Sequence, residues 1–141
     1  MLDNWDDFSK IILKKYNIKY EEIIMLKEIN LSCNQLTTIP SEIGNLAQLQ
    51  QLHLSDNQLT AISSKIGNLV QLHTLFLSNN QLTTIPTEIG KLVQLQKLYL
   101  SYNKLTTIPI NIIYLPNLRQ FAYYGNEINC LHPAITRWLN R

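Results

Sequence analysis

One interval governs this chain. Asn34, Asn57, Asn80, Asn103 and Asn126 stand 23 residues apart, as do Leu31, Leu54, Leu77, Leu100 and Tyr123. Leu36, Leu59, Leu82, Leu105 and Ile128 keep the same step. A fixed period of this size marks a stack of supersecondary units, none of which can bury its apolar face alone. The copies run 26–48, 49–71, 72–94, 95–117 and 118–140, and residues 1–25 stand outside them. The third, LHTLFLSNNQLTTIPTEIGKLVQ, serves as the reference.

Each copy changes its rhythm once. Leu75 and Leu77, or Leu98 and Leu100, alternate with one residue between, the period of a half-buried strand. After the Asn come Leu82, Ile85, Ile89 and Leu92, spaced 3, 4 and 3 apart as on one face of a helix or 3₁₀ turn. Pro40, Pro86 and Pro109 fix φ where that return begins, and Ser63 replaces them in the second copy. Gly44, Gly67 and Gly90 are expected to help end the helical turn. The expected fold is an α/β solenoid, with parallel strands on the inside of the curve and short returns outside. An Asn at every turn is costly to bury unless hydrogen-bonded. A column of Asn34, Asn57, Asn80, Asn103 and Asn126 amides bonding neighbouring turns meets that demand.

The ends differ from the frame. Asp3 or Asn4 is a plausible N-cap, with Asp6 and Asp7 in the first turn. Trp5, Phe8, Ile11, Ile12 and Tyr16 then recur at helical spacing opposite Lys10, Lys14 and Lys15. Such an amphipathic helix would cap the open apolar end of the stack, a need more general than partner binding. Leu13, Tyr16, Tyr20 and Ile23 stand 23 before Leu36, Ile39, Ile43 and Leu46, so a degenerate half-repeat joins cap to array. At the other end Phe121 and Tyr123 occupy leucine positions and Trp138 stands where Leu115 would. No separate cap is expected after it, which leaves the end at Arg141 thinly protected.

A net charge of +2, mixed in sign along the chain, argues against electrostatic binding of nucleic acid. No run of 18 apolar residues exists, so membrane insertion is not expected. The start, MLDNWDDFSK, has three Asp and no apolar core, unlike a secretory signal. A cytoplasmic location is expected, with export or surface exposure by another route open. Cys33 and Cys130 belong to the first and fifth copies, roughly 19 Å apart at about 4.8 Å per strand. A disulfide needs Cα atoms within about 7 Å, so two free thiols are expected.

The copies LQQLHLSDNQL, LHTLFLSNNQL and LQKLYLSYNKL resemble the motif of the leucine-rich-repeat family. The TIPxEIGxL tail is similar to the 23-residue class, found in intracellular signalling scaffolds and in bacterial arrays including those of leptospires. The resemblance covers 115 of 141 residues. It implies a non-enzymatic module binding a protein on its concave strand face, a host protein in the bacterial case. An intracellular scaffold or a self-associating structural repeat is the alternative, as monomer or weak homodimer. No cofactor or metal is implied.

Comparing copies locates the candidate site. The returns are nearly identical, whereas the strand positions pointing away from the core vary: Glu28, Gln51, Thr74, Lys97, Gln120, then Asn30, His53, Phe76, Tyr99, Ala122. Cys33, Asp56, Asn79, Tyr102 and Gly125 precede the Asn column. Phe76, Tyr99, Tyr102 and Tyr124 are expected to form one aromatic patch flanked by Lys97, Lys104 and His53. Exposed aromatics beside cations are typical interface anchors, although neighbouring rings also stabilise a sheet. With Asp56 and Asn79, these residues make up the expected binding face. Cys33, His53 and Asp56 combine nucleophile, base and acid, but no oxyanion donor is specified and an open sheet does not exclude water. Three mixed ligands on flat strands are also weak support for zinc.

Overall fold

The computed structural model describes residues 5–141, so the Asp3 or Asn4 cap lies outside the described residues. The first helix, α1, spans Trp5–Tyr16, with Asp6 and Asp7 in its first turn and Lys14 and Lys15 in its last. These charges complement the helix dipole at both ends. Phe8 and Ile12 are fully buried against the first units of the stack, so the apolar stripe acts as a cap. A 3₁₀ turn over Tyr20–Met25 follows and buries Ile23 where the later copies bury a leucine.

Five three-residue strands come next: β1 Glu28–Asn30, β2 Gln51–His53, β3 Thr74–Phe76, β4 Lys97–Tyr99 and β5 Gln120–Ala122. They form one parallel sheet in chain order, each residue paired with the one 23 further on, as Leu52 with Leu75 and Phe76 with Tyr99. The central residue of β1 to β4 is an Ile or Leu with no exposed surface. Leu72, Leu75, Leu77, Leu82, Ile85, Ile89 and Leu92 of the third copy are all buried. Their neighbours on both sides are the same positions of adjacent copies, so the core is continuous along the stack.

The returns are short 3₁₀ helices at Ser41–Asn45, Ser64–Asn68, Thr87–Lys91 and Ile110–Tyr114. Pro40, Pro86 and Pro109 precede three of them in extended backbone. Ser63 holds the same conformation and caps the fourth, its Oγ accepting from the Lys65 amide at 3.2 Å. The glycines do not end these turns, contrary to expectation. Gly44, Gly67 and Gly90 lie within them, and a Cβ would sit 2.6 Å from Lys65 O, 2.8 Å from Glu88 Cβ and 2.7 Å from Asn111 O respectively. Their role is close approach of one return to the next.

The Asn column forms a ladder between copies. Asn80 Nδ2 donates to Leu54 O at 3.0 Å and to Leu77 O at 3.1 Å, while its Oδ1 accepts from Leu59 N at 3.0 Å. Asn57, Asn103 and Asn126 repeat the pattern in their own copies. Each amide ties its own turn to the preceding one. Asn34 departs from expectation: with no full copy before it, it is exposed, and among the described residues its Nδ2 reaches only Ser32 O, at 2.7 Å.

The far end is better covered than expected. The second half of the fifth copy is an α-helix, α2, over Pro133–Leu139. Pro133 occupies its first turn and His132 Nδ1 accepts from the Ala134 amide at 3.1 Å. Ile135 is fully buried, and Trp138 and Leu139 pack on the core beside Phe121. Cys33 and Cys130 are exposed free thiols.

Candidate functional site

The sheet presents its outward residues in rows that cross the strands, since paired positions 23 apart lie side by side. The central row is Asn30, His53, Phe76, Tyr99, Ala122. His53 stacks on Phe76 with centroids 4.5 Å apart, and Phe76 on Tyr99 at 4.8 Å with planes 5° apart. These spacings match the distance between neighbouring strands, about 4.7–4.9 Å, so the sheet itself sets the stack. Tyr99 Oη donates to Gln120 Oε1 at 2.5 Å on the next strand, which fixes the last ring upright.

Tyr102 and Tyr124 form a second ring pair, edge to face at 5.1 Å. The single patch expected from sequence is thus two assemblies, one on the strands and one at the turns. Lys97 is exposed on β4, and Lys104 Nζ donates to Gln81 Oε1 at 3.4 Å. Thr74, expected on the display surface, is only 8% exposed between its larger register partners Gln51 and Lys97.

The turn row has a property that the sequence signals only faintly. Cys33, Asp56, Asn79 and Tyr102 adopt φ of 59°, 58°, 56° and 56°, and Gly125 has 69°. Their amides continue the ladder past the strands, from Asp56 N to Ser78 O at 3.0 Å and from Tyr102 N to Tyr124 O at 2.9 Å. That bonding holds the row left-handed, which Gly, Asn and Asp tolerate and which costs other residues about 1–2 kcal/mol. Conformation therefore selects Asp56 and Asn79 independently of any ligand. Cys33 and Tyr102 are the exceptions; the Tyr102 ring lies over Gly125, where a Cβ would come within 2.5 Å of Tyr102 Cδ1. Only a glycine at 125 leaves room for that ring.

His53 pairs with an acid other than the one expected from sequence. Its nearest acid is Glu28, with Oε1 3.8 Å from Nε2, rather than Asp56. Burial holds the imidazole pKa below its ordinary value of 6.5, outweighing the upward pull of Glu28. The ring is therefore neutral at pH 7, and Nε2 makes no hydrogen bond among the described residues. Among the described residues no group of three or more His, Cys, Asp or Glu side chains could hold a metal ion. No described helix is long and apolar enough to cross a membrane.

A curved stack of parallel strands and 3₁₀ returns, locked by an asparagine ladder, defines a repeat solenoid with an open strand face. The leucine-rich-repeat family model matches residues 24–59, 48–105 and 70–128, so the chain belongs to that family. Among solved structures it is similar to a leucine-rich-repeat protein of Leptospira interrogans, with 40% identity and a TM-score of 0.76 over 82% of this chain and 30% of that one. It also resembles a chain of the BIR3–SERK2 complex of Arabidopsis thaliana, at 36% identity and a TM-score of 0.70, over 77% of this chain and 61% of that one. An internalin of Listeria monocytogenes is 27% identical with a TM-score of 0.66, over 76% of this chain and 31% of that one. The chain thus spans less than two thirds of each of these structures. No curated protein matches it. Leucine-rich-repeat proteins generally mediate protein–protein interaction, and the fold is typically a non-enzymatic scaffold.

Proposed function

We propose that the concave strand face binds a partner protein, with Phe76, Tyr99, Tyr102 and Tyr124 as anchors and His53, Asp56, Asn79, Lys97 and Lys104 around them. The observation that carries this reading is the ring row His53–Phe76–Tyr99, aligned across three strands with its upper edges open to solvent. Rigid aromatic side chains lose little entropy on docking, and clustered exposed apolar surface marks interaction sites. The 40% identity to a Leptospira repeat protein supports a bacterial array, for which a host protein is the finer reading.

The test is affinity capture from candidate host and bacterial lysates with the wild type, a Phe76→Ala/Tyr99→Ala variant and Lys65→Ala on the outer side. The double variant should lose a partner that Lys65→Ala retains, while both keep a cooperative thermal melt. Identical capture by all three sinks the assignment.

A further inference from the structure

The ring row ends abruptly. Phe76 covers one face of Tyr99, and the next residue in register is Ala122, whose methyl cannot cover the other. No further ring stacks on that far face among the described residues. Around Ala122 stand Gln120, two residues before it on β5, and Tyr124, two residues after it and past the end of the strand, one fixed by Tyr99 and the other leaning on Tyr102. Tyr99, Gln120 and Tyr124 thus wall a niche floored by Ala122, and the spacing of the stack supplies room for one more planar ring.

We infer that this niche takes an aromatic side chain of the partner, next to a partner carboxylate. The ring faces attract either an aromatic ring or a guanidinium. Charge decides between them. Lys97 lies on the same strand as Tyr99, two residues before it; it is exposed and forms no ion pair among the described residues. The acids of this face, Glu28 and Asp56, stand at the opposite end beside His53, and Glu127 lies past the turn in the row of Lys104. A guanidinium would meet like charge at the niche, whereas a carboxylate beside the incoming ring meets Lys97. This rests on the concave face being the binding surface, and it specifies what that face accepts.

The chain has only four alanines, Ala47, Ala61, Ala122 and Ala134, so methyl-labelled alanine gives a sparse NMR probe of the full chain. The blocked peptide Glu-Trp-Glu should move the Ala122 methyl upfield through the indole ring current and leave Ala47 and Ala61 in place. Glu-Leu-Glu should not move it, and Lys-Trp-Lys should bind more weakly. Lys97→Glu should reverse that order. Ala122→Phe supplies the missing ring from within the chain and should abolish peptide binding while the melt is retained. An unmoved Ala122 overturns the niche, as does equal binding of the two Trp peptides in the wild type. If Ala122 stays still but the amides of Phe76 and Tyr99 shift, the niche falls and the concave reading stands. If no strand-face signal responds and partner capture ignores Phe76 and Tyr99, both fall.

Discussion

Replacing Asn80 by Leu tests the ladder more sharply than its bond count suggests. The amide makes hydrogen bonds to Leu54 O, Leu77 O, Ser78 O and Leu59 N, and the residue is 7% exposed. The losses are unequal. Leu54 O also accepts from Asn57 Nδ2 at 2.9 Å, and Leu77 O from Asn103 Nδ2 at 2.9 Å, so both carbonyls keep a partner. The Leu59 amide has no other acceptor and is left buried and unpaired. One orphaned buried donor costs about 1–3 kcal/mol, and weakening the two carbonyls moves the expected loss to the upper half of that range. At roughly 2–5 °C per kcal/mol for a chain of this length, the melting temperature should fall by about 5–15 °C. Asn34→Leu is the matched control, because Asn34 is exposed and Leu36 N is served by Asn57 instead. That variant should lose less than about 1 kcal/mol, as surface changes do. Thermal melts of both variants by circular dichroism check the difference. Equal drops, or no drop for Asn80→Leu, would refute the account of the ladder.

Gly67→Ala should destabilise by about 1–3 kcal/mol, since its Cβ would meet Glu88 Cβ at 2.8 Å and Glu88 O at 2.9 Å and force two returns apart; chemical denaturation measures it. Cys33→Asn should raise stability by about 0.5–1 kcal/mol, because Cys33 is exposed at φ 59° and Asn tolerates that conformation; an unchanged or lower melting temperature contradicts this. His53 takes up its proton at lower pH in the folded chain than its ordinary 6.5, so the unfolded chain protonates first as pH falls. Its contribution to stability is intact above pH 6.5 and lost below it. His53→Gln should therefore flatten the stability profile as pH falls below about 6.5, and a slope identical to wild type would assign the effect elsewhere.

Much of this was legible in the sequence because repetition turns one local pattern into a global constraint. Leu75 and Leu98 had to point inward, and once their copies stacked in register, Phe76 and Tyr99 had to stand side by side. The legible part fails where contacts depend on what lies across a gap. Gly67 reads as a helix terminator until Glu88 is seen against it. Thr74 reads as exposed until its larger register partners flank it. The fifth copy keeps the 23-residue spacing yet ends in an α-helix, because Pro133 and the His132 cap start a helix there. Ile135 and Trp138 then find the open end of the core to bury against. The left-handed turn row carried one faint signal, the Asp, Asn and Gly at positions 56, 79 and 125, which Cys33 and Tyr102 obscure.

By itself the sequence determined the family architecture: the strand register, the apolar core and the amide column all follow from a period of 23, since identical units can stack only by presenting identical positions to one another. Tertiary structure decided how the unlike residues sit. It divided the aromatics into a stacked row and an edge-to-face pair, laid Tyr102 over Gly125 and left one face of Tyr99 open above Ala122. Those outcomes depend on side-chain direction and on distances between strands, which a period sets only for the positions that repeat.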